Sequence, residues 1–365
     1  MVINRKYYTL HLKTLSPVHI GSGVRTTSKE FIFENDNYYF PDMVKLYSEL
    51  EKLGDEKVER FEQFMIRNHS NEARLTDFLN NNKIKTRDFG GYSINSSGYE
   101  ESKAEQTGKT HEKNRAKLKE IHRCIKDPYG KPYIPGSSLK GAIRTILVNQ
   151  KFKKDNRGRG KYTEANYNAI PWGSKKNQPF FDIFNNIRVS DSDSVELDRL
   201  ILAQKIDFSK KQNVDSPLPL TRECIKPFTN IFFTVTAVGD EAIDLMDNYS
   251  EMANSQNNEY ENFFLSEFPS DLKQAKMKNT IYIGAGSGLW TKTLLSESNN
   301  IIKEVNYRAP KKMNMVGKGT LKLTRGPNVV YKVNGNQRKL VNNKLNLYEM
   351  GKCAFVLKEK EVPSL

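Results

Sequence analysis

The 365-residue sequence is poor in cysteine and in long apolar runs, and each absence excludes a class of protein. Its three cysteines, Cys124, Cys224 and Cys353, have neither zinc-ribbon spacing nor the number needed for a disulfide scaffold, and they fit a reducing compartment. No run approaches the roughly 18 apolar residues of a membrane span, and the N-terminus lacks the apolar segment of a secretion signal. We therefore expect a cytoplasmic protein.

Residues that commonly carry catalysis or bind metal are also few and badly spaced. The five histidines show no metal-ligand spacing, and residues 191–193 (Asp-Ser-Asp) favour a turn or a helix cap over a calcium loop, whose glycine is absent. The spacing at Gly284–Gly288 departs from a dinucleotide fingerprint, and the segment after Gly136 lacks the Lys-Ser/Thr of a P-loop. We expect no catalytic residue, no metal and no cofactor.

Positive charge, in contrast, is abundant and is concentrated in two blocks. The net charge is +15, with +10 in residues 101–160, another +10 in residues 301–365 and −5 in the remainder. Such a distribution favours a polyanionic partner, most often nucleic acid, although lysine-rich loops that only keep a protein soluble remain an alternative. Aromatic residues make up 10% of the chain, which argues for a folded protein.

Hydrophobic periodicity predicts a mixture of strands and helices. Alternation over Tyr7–Leu15 predicts a strand that buries Tyr8, Leu10 and Leu12, and Asn230–Thr236 predicts another strand. Helical spacing is found from Asp42 to about Leu79. A helix from Leu139 to about Asn149 has one apolar stripe, and Ser137 or Ser138 is the expected cap. Glu30–Phe40 predicts a hairpin.

Three polar stretches interrupt these elements. Residues 93–120 and 151–179 are expected to be insertions, and Ser209–Pro219 is expected to separate two domains.

Three glycine- and serine-rich segments could bind phosphate. They are His19–Gly23, Gly136–Ser138 and Gly284–Gly288, and backbone N–H groups in such segments or at a helix start bind phosphate oxygens. Nearby cations and the flat rings of His19 and Trp290 could add charge and base stacking. The alternatives are a simple helix cap at Ser137-Ser138, a tight turn at Gly284–Gly288, and a core position for Trp290.

Four of these motifs together resemble the RAMP superfamily of CRISPR proteins. They occur in the order Leu15–Gly23, Tyr133–Arg144, Arg188–Ser192 and Gly284–Gly288. With Pro219–Glu223 and the chain length, the sequence is similar to the family of fifth Csm subunits of type III-A effector complexes, and this resemblance spans nearly the whole chain.

The resemblance implies an α+β fold with two ferredoxin-like (RRM-like) domains decorated by helical and loop insertions. The first is expected at residues 1–210, with insertions at about 41–130 and 151–179. The second is expected at residues 211–365 and contains the glycine-rich loop 284–288.

The resemblance also implies a function and partners. The chain would cap the 3′-end side of the complex, bind CRISPR RNA (crRNA) and target RNA, contact the backbone and small subunits, and support crRNA maturation, with host nucleases as further partners, without catalysis of its own. The predicted RNA-binding residues are His19, Gly21, Ser22, Gly23, Ser137, Ser138, Lys140, Arg144, Arg222, Gly284, Gly286, Ser287, Gly288, Trp290 and Lys292.

Two other functions remain open at this stage. One is a metal-independent endoribonuclease that trims crRNA, for which His19 is the general-base candidate. The other is an assembly adaptor whose glycine loops contact protein only.

Overall fold

A computed structural model gives the fold, and it describes only part of the chain. The described residues are 4–66, 74–86, 88–99, 103–106, 109–110, 118, 120–155, 183–210, 214–295, 298–308, 317–326, 330–334, 337–340 and 347–361. Most of the predicted insertion at 151–179, about half of the one at 93–120, and parts of both basic blocks lie outside them.

The strands of the described residues are β1 (Arg5–Thr14), β2 (Gly21–Thr27), β3 (Ile32–Glu34), β4 (Asn37–Phe40), β5 (Tyr92–Asn95), β6 (Lys103–Gln106), β7 (Lys109–Thr110), β8 (Glu120–Cys124), β9 (Ile187–Val189), β10 (Leu200–Ser209), β11 (Val214–Ile225), β12 (Asn230–Val238), β13 (Thr280–Tyr282), β14 (Leu321–Arg325), β15 (Val330–Asn334), β16 (Gln337–Leu340), β17 (Leu347–Glu349) and β18 (Lys352–Glu359).

The α-helices of the same residues are α1 (Met43–Glu51), α2 (Asp55–Ile66), α3 (Leu75–Asn81), α4 (Gly136–Asp155), α5 (Asp240–Asp247), α6 (Tyr249–Phe263) and α7 (Ser298–Arg308). None of the described helices is long and apolar enough to cross a membrane.

A five-stranded antiparallel sheet, which we call the central sheet, has the strand order β13-β18-β1-β12-β9. Its strand β1 alternates as predicted, with Tyr8, Leu10 and Leu12 at most 2% exposed. These side chains pack against the apolar stripe of α4, where Leu139 and Ile143 are fully buried. Because side chains of a strand alternate between faces, the opposite face of β1 is left outside this core.

A second sheet has six strands in the order β17-β14-β10-β11-β8-β2. The pair β11–β8 is parallel, and the other pairs are antiparallel. Strands β10 and β11 form a hairpin whose connection contains residue 210, so the expected domain boundary falls inside paired strands rather than in a linker.

The region between β2 and β8 forms a separate layer. Helices α1, α2 and α3 share a core with the three-stranded sheet β3-β4-β5, as the helical spacing of residues 42–79 predicted. The predicted hairpin is confirmed, since Asn35 and Asp36 connect β3 to β4 with φ of 49° and 58°. Strands β16-β15-β6-β7 form a fourth, small sheet.

The fold is therefore a mixed α/β arrangement, but its division into two ferredoxin-like domains is not confirmed. Strand β1 pairs with β12 and with β18, and β10 pairs with β11 and with β14. Both large sheets thus take strands from both sides of residue 210.

Candidate nucleic-acid interface

The three glycine- and serine-rich segments, distant in sequence, meet at one cleft. The cleft has a volume of about 470 Å³. Its lining residues come from the start of β2, the first turns of α4 and the segment after β13: Ile20, Gly21, Ser137, Ser138, Gly141, Ala142, Thr145, Tyr282, Ile283, Gly284, Ala285, Thr291 and Lys292. The structure therefore brings together one or more residues of each segment that the sequence singled out.

The wall formed by α4 begins earlier than predicted and is capped from elsewhere. The helix starts at Gly136, so Ser137 and Ser138 lie inside its first turn. The carboxylate of Asp191 accepts a hydrogen bond of 2.7 Å from the Gly136 N–H and supplies the cap. This corrects the expected Ser137 or Ser138 cap and confirms the cap interpretation of residues 191–193. Ser137 is exposed and Ser138 is half-buried, so both remain at the cleft wall.

Only glycine fits at the start of α4. A Cβ on Gly136 would lie 2.3 Å from the carbonyl oxygen of Val189 and 2.4 Å from that of Ser190. The helix start can therefore pack directly on the end of β9, and this contact positions the first turn against the rest of the cleft.

The opposite wall is the glycine-rich loop, residues 284–288, which is hydrogen-bonded to the segment His19–Gly23. The Ala285 N–H donates a hydrogen bond of 2.8 Å to the His19 carbonyl. Gly284 has a φ of 77°, and a Cβ there would lie 2.4 Å from the same carbonyl oxygen. A side chain at Gly284 would therefore push the two segments apart.

Lys292 is the cation that lines the cleft. Its ammonium group donates a hydrogen bond of 2.7 Å to the Gly284 carbonyl. Desolvation lowers the pKa of Lys292 below its usual value, and the positive charge of Arg222 lowers the pKa further. A phosphate beside this lysine would oppose both effects, because a nearby negative charge favours the protonated form.

Arg222 extends the positive charge beneath the glycine-rich loop. A Cβ on Gly286 would lie 2.8 Å from the Arg222 Nη1 atom, so the guanidinium fills the space that the glycine leaves. Burial lowers the pKa of Arg222, and the nearby Asp207 carboxylate offsets only part of that effect. The half-buried Arg222 is thus a cation held at a desolvation cost.

Two lysines that the sequence did not single out join this cluster. Lys322 is 2.8 Å and Lys205 is 3.4 Å from the Asp207 carboxylate oxygens. Desolvation lowers the pKa of Lys205, and the charges of Lys322 and Arg222 add to that effect. Three cations, Lys205, Lys322 and Arg222, thus lie near the carboxylate of Asp207, and Lys292 interacts with Arg222. Lys322 is paired with Asp207 across strands β14 and β10. The sequence alone does not show this pairing, so it could not have identified the two lysines.

The first glycine segment is the start of an edge strand rather than a loop. Gly21, Ser22 and Gly23 are exposed and belong to β2, whose pairing with β8 shifts register between Gly21 and Arg25. The Ser22 hydroxyl donates to the Arg123 carbonyl at 3.1 Å, and Gly23 has a φ of 85°. An edge strand has backbone groups without strand partners, which suits it to contact a ligand.

Three predicted contact residues are buried instead. Trp290 is 2% exposed, and its indole N–H donates to the Lys318 carbonyl at 2.7 Å. His19 is 3% exposed, and Ser287 is 4% exposed with its hydroxyl donated to the Gly284 carbonyl. The burial of both rings argues against the expectation that Trp290 and His19 stack on bases, and for Trp290 it favours the core alternative. Gly288 has a φ of 97°, as a tight turn requires.

Lys140 and Arg144 lie at the border of the α4 face that forms the cleft wall. At 100° per residue, Arg144 lies about 20° around the helix from Ser137 and about 60° from Gly141, both of which line the cleft. The guanidinium carbon of Arg144 instead lies 4.8 Å from the ring centroid of Phe184. Neither side chain lines the cleft.

His19 is positioned as a structural residue. Its Nδ1 atom is 2.6 Å from the Glu223 carbonyl oxygen, and burial lowers its pKa to about 4. A carbonyl only accepts hydrogen bonds, so Nδ1 carries the proton and the ring is neutral at pH 7. Among the described residues, no group of three or more His, Cys, Asp or Glu side chains could hold a metal ion.

Sequence comparison finds both a family and close relatives. Residues 11–289 match the model of the RAMP superfamily. The chain is 44% identical over 358 residues to the CRISPR system Cms protein Csm5 of Streptococcus thermophilus, covering 96% of this chain and 97% of that protein. It is 30% identical to Csm5 of Mycobacterium tuberculosis, covering 98% and 99% of the two chains.

Solved structures share the fold. A chain of a Csm–crRNA–target RNA ternary complex from a type III-A CRISPR-Cas system matches with a TM-score of 0.66, at 18% identity, covering 96% of this chain and all of that one. The crystal structure of T. onnurineus Csm5 matches with a TM-score of 0.56, also at 18% identity, covering 94% and 99% of the two chains.

Proposed function

The chain belongs to the RAMP superfamily and, within it, to the Csm5 proteins, and from this premise we propose that it is a subunit of a type III-A Csm complex acting in RNA-guided defence. In that complex it binds crRNA in the cleft between β2, α4 and the glycine-rich loop. It occupies the 3′-end side of the particle and contacts the backbone and small subunits. It supports crRNA maturation without catalysis of its own, and target RNA and host nucleases are further partners.

The observation that carries the RNA-binding role is the convergence of the three glycine- and serine-rich segments at one cleft with a lysine in its wall. Of the lining residues, Gly21 and Gly284 have no side chain and Ser137 has a small one, so an RNA backbone can approach their main chain closely. Phosphate oxygens accept hydrogen bonds from N–H and O–H groups, and Lys292 supplies a charge.

The cluster beneath the loop supplies long-range attraction. Arg222, Lys205 and Lys322 together with Lys292 outnumber Asp207, so this region carries a net positive charge of about three. Each of the three cations with a lowered pKa is partly desolvated before RNA arrives, and a phosphate would restore favourable electrostatics. Binding is therefore expected to depend steeply on salt, with a log–log slope near 0.7 per neutralised phosphate for single strands.

A non-catalytic role is supported by the state of His19. A ring that is 3% exposed with a pKa of about 4 is a poor general base at neutral pH and cannot reach a scissile phosphate in this conformation. The rival endoribonuclease is tested with purified protein and end-labelled crRNA. Cleavage that disappears in His19→Ala would favour the rival, and the absence of cleavage by the wild type would refute it.

The binding site is tested with two matched double variants. Lys292→Met with Arg222→Met removes two positive charges at the cleft, and Lys140→Met with Arg144→Met removes two from side chains of α4 that do not line it. The proposal expects the first pair to weaken crRNA binding and the second to have little effect. Equal effects of the two pairs would indicate general electrostatics and would contradict a defined site.

The protein-only adaptor is distinguished by photo-crosslinking of crRNA in the assembled complex. Crosslinked peptides from residues 19–23, 137–145 or 284–292 support RNA binding at the cleft. Crosslinks that are confined to other subunits would support the adaptor and refute the proposal.

A further inference from the structure

The central sheet has a second surface, on the side opposite α4, α5 and α6. The inner side chains of β1, β12 and β18 pack into the core, while alternate side chains point outward. One outward row crosses three strands, because His11 is paired with Phe232 on β12 and with Val356 on β18. We call these three residues the outer row.

The outer row is unusual because it exposes apolar and aromatic surface. Phe232 is 45% exposed and Val356 is 44% exposed. The rings of His11 and Phe232 are stacked, with centroids 4.6 Å apart and an interplanar angle of 13°. The His11 Nε2 atom is 3.0 Å from the Asn230 side-chain oxygen, which fixes the orientation of the imidazole. An ordered, flat aromatic surface is therefore present before any ligand binds.

Positive charges flank the outer row. Lys13 follows His11 on the same face of β1, Lys358 lies on β18 opposite Thr9, and Arg188 lies on β9 opposite Thr236. All three are exposed. Lys13 also lies 5.9 Å from the ring centroid of Phe228, another aromatic residue, which is 61% exposed.

Acidic groups do not cancel this charge. Glu359 forms an ion pair with Lys6, which also binds Asp247 of α5, so Glu359 is directed toward the helical side of the sheet. Asp193, whose N–H donates to the Phe232 carbonyl, is an acidic residue next to the row. Lys13, Lys358 and Arg188 therefore leave the face with an excess of positive charge.

We propose that this outer face is a second contact for single-stranded RNA, in which a base continues the His11–Phe232 stack and the flanking cations bind phosphates. The aromatic surface and the excess of positive charge together fit RNA, because every base has a flat face and every nucleotide a negative charge. A protein partner could bind this face with apolar or acidic surface, but such binding would not require the stacked His11 and Phe232 rings. The proposal rests on the proposed function only in assuming that the chain meets RNA, since it uses no residue of the cleft.

The test compares base-dependent with backbone-dependent binding. The full-length chain is titrated with a single-stranded oligouridylate and with an abasic ribose-phosphate oligomer of the same length. Phe232→Leu keeps an apolar side chain but removes the stack, and Tyr129→Leu removes a 90% exposed aromatic from the turn after β8 as the control. Because Phe232 points away from the core, thermal unfolding of Phe232→Leu should match the wild type.

The expected result is an affinity for oligouridylate about tenfold lower in Phe232→Leu, with unchanged affinity for the abasic oligomer and no effect of Tyr129→Leu. Lys292→Met with Arg222→Met should instead weaken both oligomers. If Phe232→Leu binds both oligomers with wild-type affinity, this proposal is overturned, whereas the proposed RNA site in the cleft is not. If that variant then associates more weakly with neighbouring Csm subunits, the outer face is a protein interface. If Phe232→Leu lowers the affinity for oligouridylate but the Lys292/Arg222 double variant binds both oligomers as the wild type does, the proposed RNA site in the cleft is overturned instead.

Discussion

Removing the two cations nearest the glycine-rich loop should change the salt dependence of RNA binding by a calculable amount. Lys292 lines the cleft, and the Arg222 guanidinium occupies the space next to Gly286 that a side chain there would need. If each neutralises one phosphate, the double Met variant loses about 1.4 from the log–log slope of affinity against salt. Extrapolated from a reference at about 1 M salt, this corresponds to an affinity loss of roughly 15-fold at about 0.15 M and roughly 70-fold at about 0.05 M.

The assay is fluorescence anisotropy of labelled crRNA at a series of salt concentrations, with the wild type and the Lys140/Arg144 double variant measured in parallel. The control removes the same charge from side chains that do not line the cleft, so its slope should stay closer to that of the wild type. A Lys292/Arg222 variant whose affinity falls without a change in slope would refute the reasoning, because the lost contacts would then not be with phosphates.

Three further predictions concern single side chains. Because the pKa of Lys292 is lowered in the free protein, RNA affinity should fall as the pH rises through that lowered pKa, and Lys292→Arg should move the fall to higher pH. Burial lowers the pKa of His19 from 6.5 in the unfolded chain to about 4 in the folded protein. About 3 kcal/mol of the free energy of unfolding should therefore be present above pH 7 and be lost as the pH falls to 4. Urea unfolding of His19→Asn should lack this pH dependence. Lys352 is 3.0 Å from Glu349, and both side chains are at most 4% exposed. Lys352→Met should therefore lower the free energy of unfolding by about 3–5 kcal/mol, and adding Glu349→Met should recover part of it; a single variant as stable as the wild type would contradict a buried pair.

Local pattern predicted much of what depends on neighbours in sequence. The alternation in β1 placed Tyr8, Leu10 and Leu12 correctly, and the apolar stripe of α4 is buried as expected. Both are consequences of the periods of strand and helix, which a sequence displays directly. The glycine-rich segments were also recognised, since glycine marks close approaches of backbone.

Long-range pairing accounts for what the sequence did not show. We predicted that Ser209–Pro219 separates two domains, yet Ser209 pairs with Val214 and each large sheet combines distant strands. The cap of α4 comes from Asp191, which is 55 residues away from Gly136. Contacts of this kind depend on register, which no local pattern reveals.

The burial of Trp290 illustrates the same limit for the site. From the sequence, a tryptophan after a glycine-rich loop fits base stacking and a core position equally well. The structure decides for the core, because the ring centroids of Trp290 and Phe263 are 5.1 Å apart and the indole N–H donates to the Lys318 carbonyl. Conversely, Lys205 and Lys322 joined the basic cluster because Asp207 lies between them.

The most direct test of the central claim is a high-resolution structure of the assembled Csm complex that contains this subunit and crRNA. We expect phosphate oxygens of the RNA within hydrogen-bond distance of Lys292 and of main-chain groups at Gly21, Ser137 or Gly284. A cleft filled by side chains of a neighbouring subunit, with the RNA running elsewhere, would contradict it.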